Sequence, residues 1–330
     1  MTAYILRRLL YMLFTFWVLS VVAFVIIQLP PGDYLTTMVA AMQQQGDLAS
    51  TETLEALRVQ YGLDRSAVEQ YILWFTNFVR GDMGQSFEWR QPVARLMAER
   101  LPYTVMLSLF TLLLTYAIAV PIGIYVATHQ YGIGDYIMSV VGFIGLATPN
   151  FMIALVLMYL FFKYLGVSVG GLFSPEYALA PWSLPKVWDM FQHLWIPILV
   201  TGLSGTAGLI RVMRGTLLDE LSKQYVITAR AKGVPEGRLL FKYPVRVAIN
   251  PIVSTIGWQL PNILSGQTIT AVVLSLPTGG PLLLRSLLYQ DMFMAGSIVM
   301  LLGVLTLLGT LLSDILLVVV DPRISFERKA

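Results

Sequence analysis

RVMRGTLLDELSKQYVITARAKGVPEGRLLFKYPVRVAIN, residues 211–250, decides how this chain is read. The stretch carries eight Lys and Arg residues: Arg211, Arg214, Lys223, Arg230, Lys232, Arg238, Lys242 and Arg246. The 330-residue chain around it is 56% hydrophobic and only 12% charged, against roughly 25% charged in a soluble domain. Mean hydropathy is +0.70. The chain therefore belongs in a bilayer, and the stretch is a basic loop between apolar spans. The positive-inside effect places such a loop in the cytoplasm. A net charge of +3, with the basic residues beside apolar spans, gives no case for a nucleic-acid partner.

Inside the loop no Pro occurs between Arg211 and Gly233, and Leu217, Leu221, Tyr225 and Ala229 recur every fourth residue. This spacing predicts one apolar stripe on a polar helix, with Asp219 and Lys223 supporting its face. Gly233 is placed to end the helix in a left-handed conformation, and Pro235 to open a second helix with Leu239, Leu240 and Tyr243 on one side. Two short helices meeting at a Gly-Val-Pro corner make a lever with Leu239, Leu240 and Phe241 exposed. A loop that only fixed topology would need the charge but not the apolar stripe, so the pattern favours docking to a partner. An amphipathic element lying on anionic membrane lipid is the other use of the same pattern.

Outward from the loop, apolar runs predict six transmembrane helices. Residues 9–29 form the first, preceded by Arg7 and Arg8; the run exceeds the h-region of a signal peptide. Residues 30–103, with nine acids and six Arg, read as an extracytoplasmic helical insert. In it Asp64 caps a helix closed by Gly81, and a short amphipathic helix covers residues 93–101. Residues 104–127 form a second span, broken late by Pro121 and Gly123. Residues 136–165 form a third, where Pro149 and Asn150 either kink the helix or line a solute path. Residues 166–192 are an outer loop with interfacial Trp182 and Trp188. The fourth span, 194–210, carries Gly202, Gly205 and Gly208 for close helix approach. The fifth and sixth cover 251–274 and 292–320, joined by the turn SLPTGGP. The domain plan is thus a tail and first helix at 1–29, the insert at 30–103, a five-helix core at 104–320 containing the loop, and a tail at 321–330, with both termini cytoplasmic.

Few residues are available for chemistry. There is no Cys, and His129 and His193 are the only His, so neither a disulfide framework nor a paired-His metal site can be built. GxxxxGK[ST] is absent, so the chain does not cradle nucleotide phosphates. Asp314 is the one acid well inside a span, and Lys163 lies near a span end, where its stem can snorkel. An ion-coupled secondary transporter would lean on Asp314, though its place near Asp321 suits a packing or interhelical hydrogen-bond role better. A membrane scaffold without transport is the third class.

YVITARAKGVPEGRLLFKYPVRVAINP resembles the cytoplasmic EAA loop of ABC importer permeases of the dipeptide, oligopeptide and nickel group. The similarity extends through RRLL, PPGD, YGLD, GDMGQSF, ERLPYT, LPTGGP and DPRISF. It implies an all-α, type I ABC importer-like permease of the bacterial or archaeal inner membrane. Such a subunit pairs with a second homologous permease, two cytoplasmic ATPases that bind ATP and Mg, and an extracytoplasmic solute-binding protein, while holding no cofactor itself. The implied ATPase-coupling residues are Thr228, Ala229, Arg230, Ala231, Lys232, Gly233, Pro235, Leu239 and Leu240. The implied outer gate is Leu276, Pro277, Thr278, Gly279, Gly280 and Pro281. Where the wider pattern has Glu-Ala-Ala, Ile227, Thr228 and Ala229 stand here, leaving Arg230 and Lys232 for polar docking contacts. Ala271 stands where the peptide group tends to have a Glu, so a peptide, a nickel chelate and an oligosaccharide all stay open as cargo.

Overall fold

Apolar runs interrupted by Pro and Gly become helices joined by short corners in the computed structural model, which describes residues 2–28, 64–167, 169–265 and 267–320. Residues 30–63 of the insert, including PPGD, and the C-terminal DPRISF lie outside the described residues. No strand occurs among the described residues, only one isolated antiparallel bridge between Gln85 and Pro92. The chain divides into two units, one drawn from 1–104 and 278–305 and the other from 105–277 and 306–330.

The first unit contains α1 (Thr2–Gln28), α2 (Ala67–Val79), the start of α3 (Val93–Thr128), α13 (Gly279–Leu288) and the first half of α14 (Met292–Val320). Ser66, not Asp64, caps α2. Its Oγ accepts from Glu69 N at 3.4 Å while the Glu69 carboxylate accepts from Ser66 N at 3.1 Å, a reciprocal capping box. Gly81, at φ +87, follows the helix as expected. The core is aromatic: Phe24 meets Tyr71 edge-on at 5.4 Å, and Tyr71 stacks on Phe75 at 5.7 Å. Gly296 is there for room, since a Cβ would stand 2.8 Å from the Trp74 ring. Asp291, fully buried, accepts from Ser86 Oγ, from Glu88 N at 3.2 Å and from Met294 N at 3.1 Å, which caps α14 and holds the 84–90 loop. Burial pushes its carboxyl above the usual carboxylate range against those bonds.

Two predicted breaks in α3 are not there. The expected short helix at 93–101 and the second span form one helix of 36 residues that runs through Pro102 and Pro121. Proline forfeits one main-chain bond, and near Pro102 Thr104 Oγ1 donates to Arg100 O at 3.0 Å. Gly123 serves packing: a Cβ there would lie 2.5 Å from Met213 Cβ.

The second unit contains the rest of α3 with α4 (Ile133–Ala147), α5 (Asn150–Leu165), the one-turn α6 (Pro175–Ala178), α7 (Leu184–Leu221), α8 (Gln224–Ala231), α9 (Glu236–Lys242), α10 (Pro244–Ala248), α11 (Asn250–Ser265) and α12 (Thr268–Val273), and it also takes the second half of α14. Its core gathers Ala119, Leu209, Met213, Leu217, Ala248 and Ile252. The expected fourth span is the middle of α7, whose 38 residues extend about 57 Å at 1.5 Å per residue, well beyond a hydrocarbon core of roughly 30 Å. At Pro149 the third span turns by 101° between α4 and α5, far more than a kink. Among the described residues, α1, α3, α7 and α14 are long and apolar enough to cross a membrane, and the bent pair α4–α5 makes a fifth if it is one broken span and not a re-entrant loop. The expected fifth span does not form one helix but is divided into α11 and α12.

Candidate functional site

The basic stretch folds as a chain of short helices at the end of α7. Ser222 ends that helix, its Oγ donating to Asp219 O at 2.8 Å, a local bond that competes with helix continuation. The predicted stripe is therefore cut in two. Leu217 is fully buried in the main core of the unit, whereas Ala229 belongs to a separate small core with Val226 and Leu239, flanked by Val234 and Tyr243. Tyr225 lies between them with its hydroxyl on the Glu220 carboxylate, and burial with that bond pushes the phenol well above its ordinary range.

Gly233 turns the chain at φ +76, and a Cβ there would meet nothing within 4 Å. Conformation, not space, requires the glycine. Pro235 precedes α9 as its N-cap. Arg230 reaches across the corner, its Nε and Nη2 donating to Glu236 at 2.6 and 3.1 Å. That guanidinium holds the Glu236 carboxyl below the usual glutamate range.

Exposure corrects part of the sequence reading. Leu239, expected on the surface, is 0% exposed because the small core closes over it, and Leu240 packs half-buried against the main core. The most exposed large apolar groups of the element are Phe241 at 63% and Ile227 at 48%. Thr228, Arg230, Ala231, Lys232, Gly233 and Pro235 are all exposed.

Sequence reasoning missed what fastens this element. Asp135, in the first turn of α4, accepts a bidentate bond from Arg214 at 2.8 and 2.7 Å, with Tyr131 N on the same carboxylate at 3.0 Å. Asp135 is 4% exposed. Thr216 Oγ1 donates to Ala248 O at 3.0 Å, tying α7 to α10. Arg214 reads in sequence as one more topology charge, and only proximity to Asp135 distinguishes it.

The stretch assigned to an outer gate is not an open turn. Leu276 is buried and, with half-buried Pro277, belongs to the second unit; Thr278, Gly279, Gly280 and Pro281 belong to the first and begin α13. Gly279 N donates to Thr104 Oγ1 at 2.8 Å. Gly-Gly-Pro reads as a turn, yet proline is tolerated in a first helical turn, where main-chain N–H groups lack partners anyway.

A polar cleft of about 200 Å³ opens within the second unit between α3, α5, α7 and α11. Thr111, Thr115 and Tyr116 face it from α3, and Thr201, Ser204 and Gly205 from α7. Asn150, Gln259 and Gln267 complete the polar wall. Thr111 and Thr201 share a buried hydroxyl bond of 3.0 Å, and Gln267 Nε2 donates to Thr201 O at 3.3 Å. The chain bends at Pro149-Asn150, and Asn150 lines this cavity. The glutamines carried a signal, being isolated amides in apolar runs. Among the described residues no group of His, Asp and Glu could hold a metal ion.

Long apolar helices, a packed helical corner at the end of one of them and a cleft lined by hydroxyls and amides beside two helix breaks define an all-α multi-pass membrane protein. The family described as binding-protein-dependent transport system inner membrane component matches residues 119–326, and the N-terminal region described for the same systems matches residues 1–108. The chain is 33% identical to the oligopeptide transport system permease protein AppB of Bacillus subtilis, over 99% of this chain and 100% of that protein. It is 32% identical to a putative peptide permease protein of Brucella ovis, over 98% and 99% of the two chains. With the peptidoglycan transport system permease protein YejB of Agrobacterium fabrum it shares 29% identity over the full length of both. The chain belongs to the binding-protein-dependent inner membrane components, the non-catalytic permease subunits of ABC importers.

Proposed function

We propose that this permease passes a peptide-like solute and is driven through the element that follows α7. It pairs with a second homologous permease to form the path, and two cytoplasmic ATPases, which bind ATP and Mg, each grip one permease. An extracytoplasmic solute-binding protein delivers the cargo. Six spans with both termini in the cytoplasm, the insert after the first helix, and a gate including 276–281 complete the arrangement.

The observation that carries this reading is the built corner of α8, Gly233 and α9. Its own small core and the Arg230–Glu236 bond give it a fixed shape, while Ile227, Thr228, the 230–233 turn, Pro235 and Phe241 are presented outward. ATP-driven closure of the ATPases pulls on this rigid piece, and α7 carries the displacement into the spans. Thr228, Ala229, Arg230, Ala231, Lys232, Gly233, Pro235, Leu239 and Leu240 act together: the exposed members touch the ATPase, and Leu239, Leu240 and Ala229 keep the surface in shape. Relatives named for oligopeptide and peptide transport support a peptide-like cargo.

Phe241→Asp with Lys232→Glu tests it. The variant should insert normally and lose copurifying ATPases; undiminished copurification overturns the docking assignment. Uptake that survives ATP depletion, collapses with an ion gradient and is lost in Asp314→Asn would instead establish ion coupling.

A further inference from the structure

The cleft of the second unit lies where helices stop. Asn150 begins α5 directly after the 101° bend, and Gln267 stands in the interruption between α11 and α12. Breaks free main-chain polar groups, which in a bilayer persist only where protein or water satisfies them. Transporters place solute at such discontinuities. On the α7 wall Gly205 lines the cleft, and a Cβ there would stand 4.0 Å from the Gln259 amide nitrogen. Beside it Gly202 lets α7 approach α3 closely, since a Cβ there would meet Thr115 Oγ1 at 3.0 Å.

Apart from Leu112 and Gly205, every lining side chain carries a hydroxyl or an amide, and none carries a charge. Such a wall offers neutral donors and acceptors, the partners of a peptide N–H and C=O or of a hydroxyl. A divalent transition metal would look for imidazole, carboxylate or thiolate, and none lines the cleft. Resting on the permease reading above, we propose that the cleft is a charge-blind contact station: its hydroxyls and amides meet the amide or hydroxyl groups of a passing solute and hold no charge that would select among cargos.

The absence of Cys supplies the test, because a thiol introduced into this subunit reacts against no background of its own. Ser204→Cys and Thr115→Cys would be examined in the assembled transporter in nanodiscs. The probes are the cationic reagent MTSET and the anionic reagent MTSES, with and without ATP and vanadate. Both should label both sites, with rates that agree within about threefold after correction for their rates on a free thiol, since no fixed charge is present to split them. The rates should change with nucleotide. Adding Gln259→Glu to Ser204→Cys should raise the MTSET-to-MTSES rate ratio by about a hundredfold or more, because one nearby carboxylate speeds the cation and slows the anion, each by about tenfold or more. Thiols that ignore both reagents, or a bias of about tenfold or more with Gln259 intact, overturn the station, while ATP-driven uptake by the parent complex leaves the permease reading standing. Labelling that never responds to nucleotide, in a complex without ATPase activity, removes the permease reading and the station with it.

Discussion

Leu239→Ala should loosen the coupling element without loosening the protein. Leu239 is 0% exposed, and its core contains only two other buried side chains, Val226 and Ala229, with Val234 and Tyr243 at the edge. A buried Leu→Ala change costs about 2–5 kcal/mol through lost transfer energy and the cavity left behind. With so few neighbours, that loss is a large share of what holds α8 against α9, and it falls on a segment that opens as its own unit. Hydrogen exchange reads the consequence: main-chain amides of α8 and α9 should exchange faster by about 30-fold to roughly 4,000-fold. Amides of α7 around Met213 and Leu217, in the other core, should keep their rates. Phe241→Ala is the control, because its exposed ring lies outside this core. Unchanged exchange in α8 and α9 would refute the independent core, and so would equal acceleration throughout α7.

Removing one member of the Asp135–Arg214 pair, as in Asp135→Asn or Arg214→Met, should cost about 3–5 kcal/mol by stranding a desolvated charge, and replacing both with apolar residues should recover most of it; thermal melts of the purified protein in detergent check this. Gly123→Ala should lower stability by about 1–3 kcal/mol through overpacking against Met213. Gly233→Ala should instead cost about 1–2 kcal/mol through its left-handed backbone alone, with the change confined to exchange at the corner. Glu236 has its carboxyl held below the glutamate range by Arg230, so its contribution is complete above the ordinary glutamate pKa and is lost as pH falls through the lowered one. Protection factors at the corner, which divide out the intrinsic pH dependence of amide exchange, should therefore fall on acidification below that ordinary range, and Glu236→Gln should remove that fall.

Much of the architecture was legible because a bilayer imposes a coarse rule on sequence. The runs at the N-terminus and at Met292–Val320 could be nothing but apolar helices, and Gly233 with Pro235 announced a corner because few other residues turn a chain that way. Helix ends were less legible. The pattern places a boundary between 101 and 104 and a break at Pro121, yet one helix runs through Pro102 and Pro121, since one lost bond is a small penalty inside a long packed rod. Ser222, a residue without special status in the pattern, ended a helix that the stripe had continued.

Composition and local periodicity by themselves determined that the chain spans a membrane by helices and that a basic loop with a glycine–proline corner interrupts them. Those conclusions need only solvation and nearest-neighbour geometry. Tertiary structure alone decided that Leu239 is a core residue and Phe241 a surface one, that Arg214 belongs to Asp135, and that threonines, glutamines and one asparagine from separate helices share a cleft. Each of these depends on which faces meet across long separations in the chain, and a one-dimensional pattern does not record that.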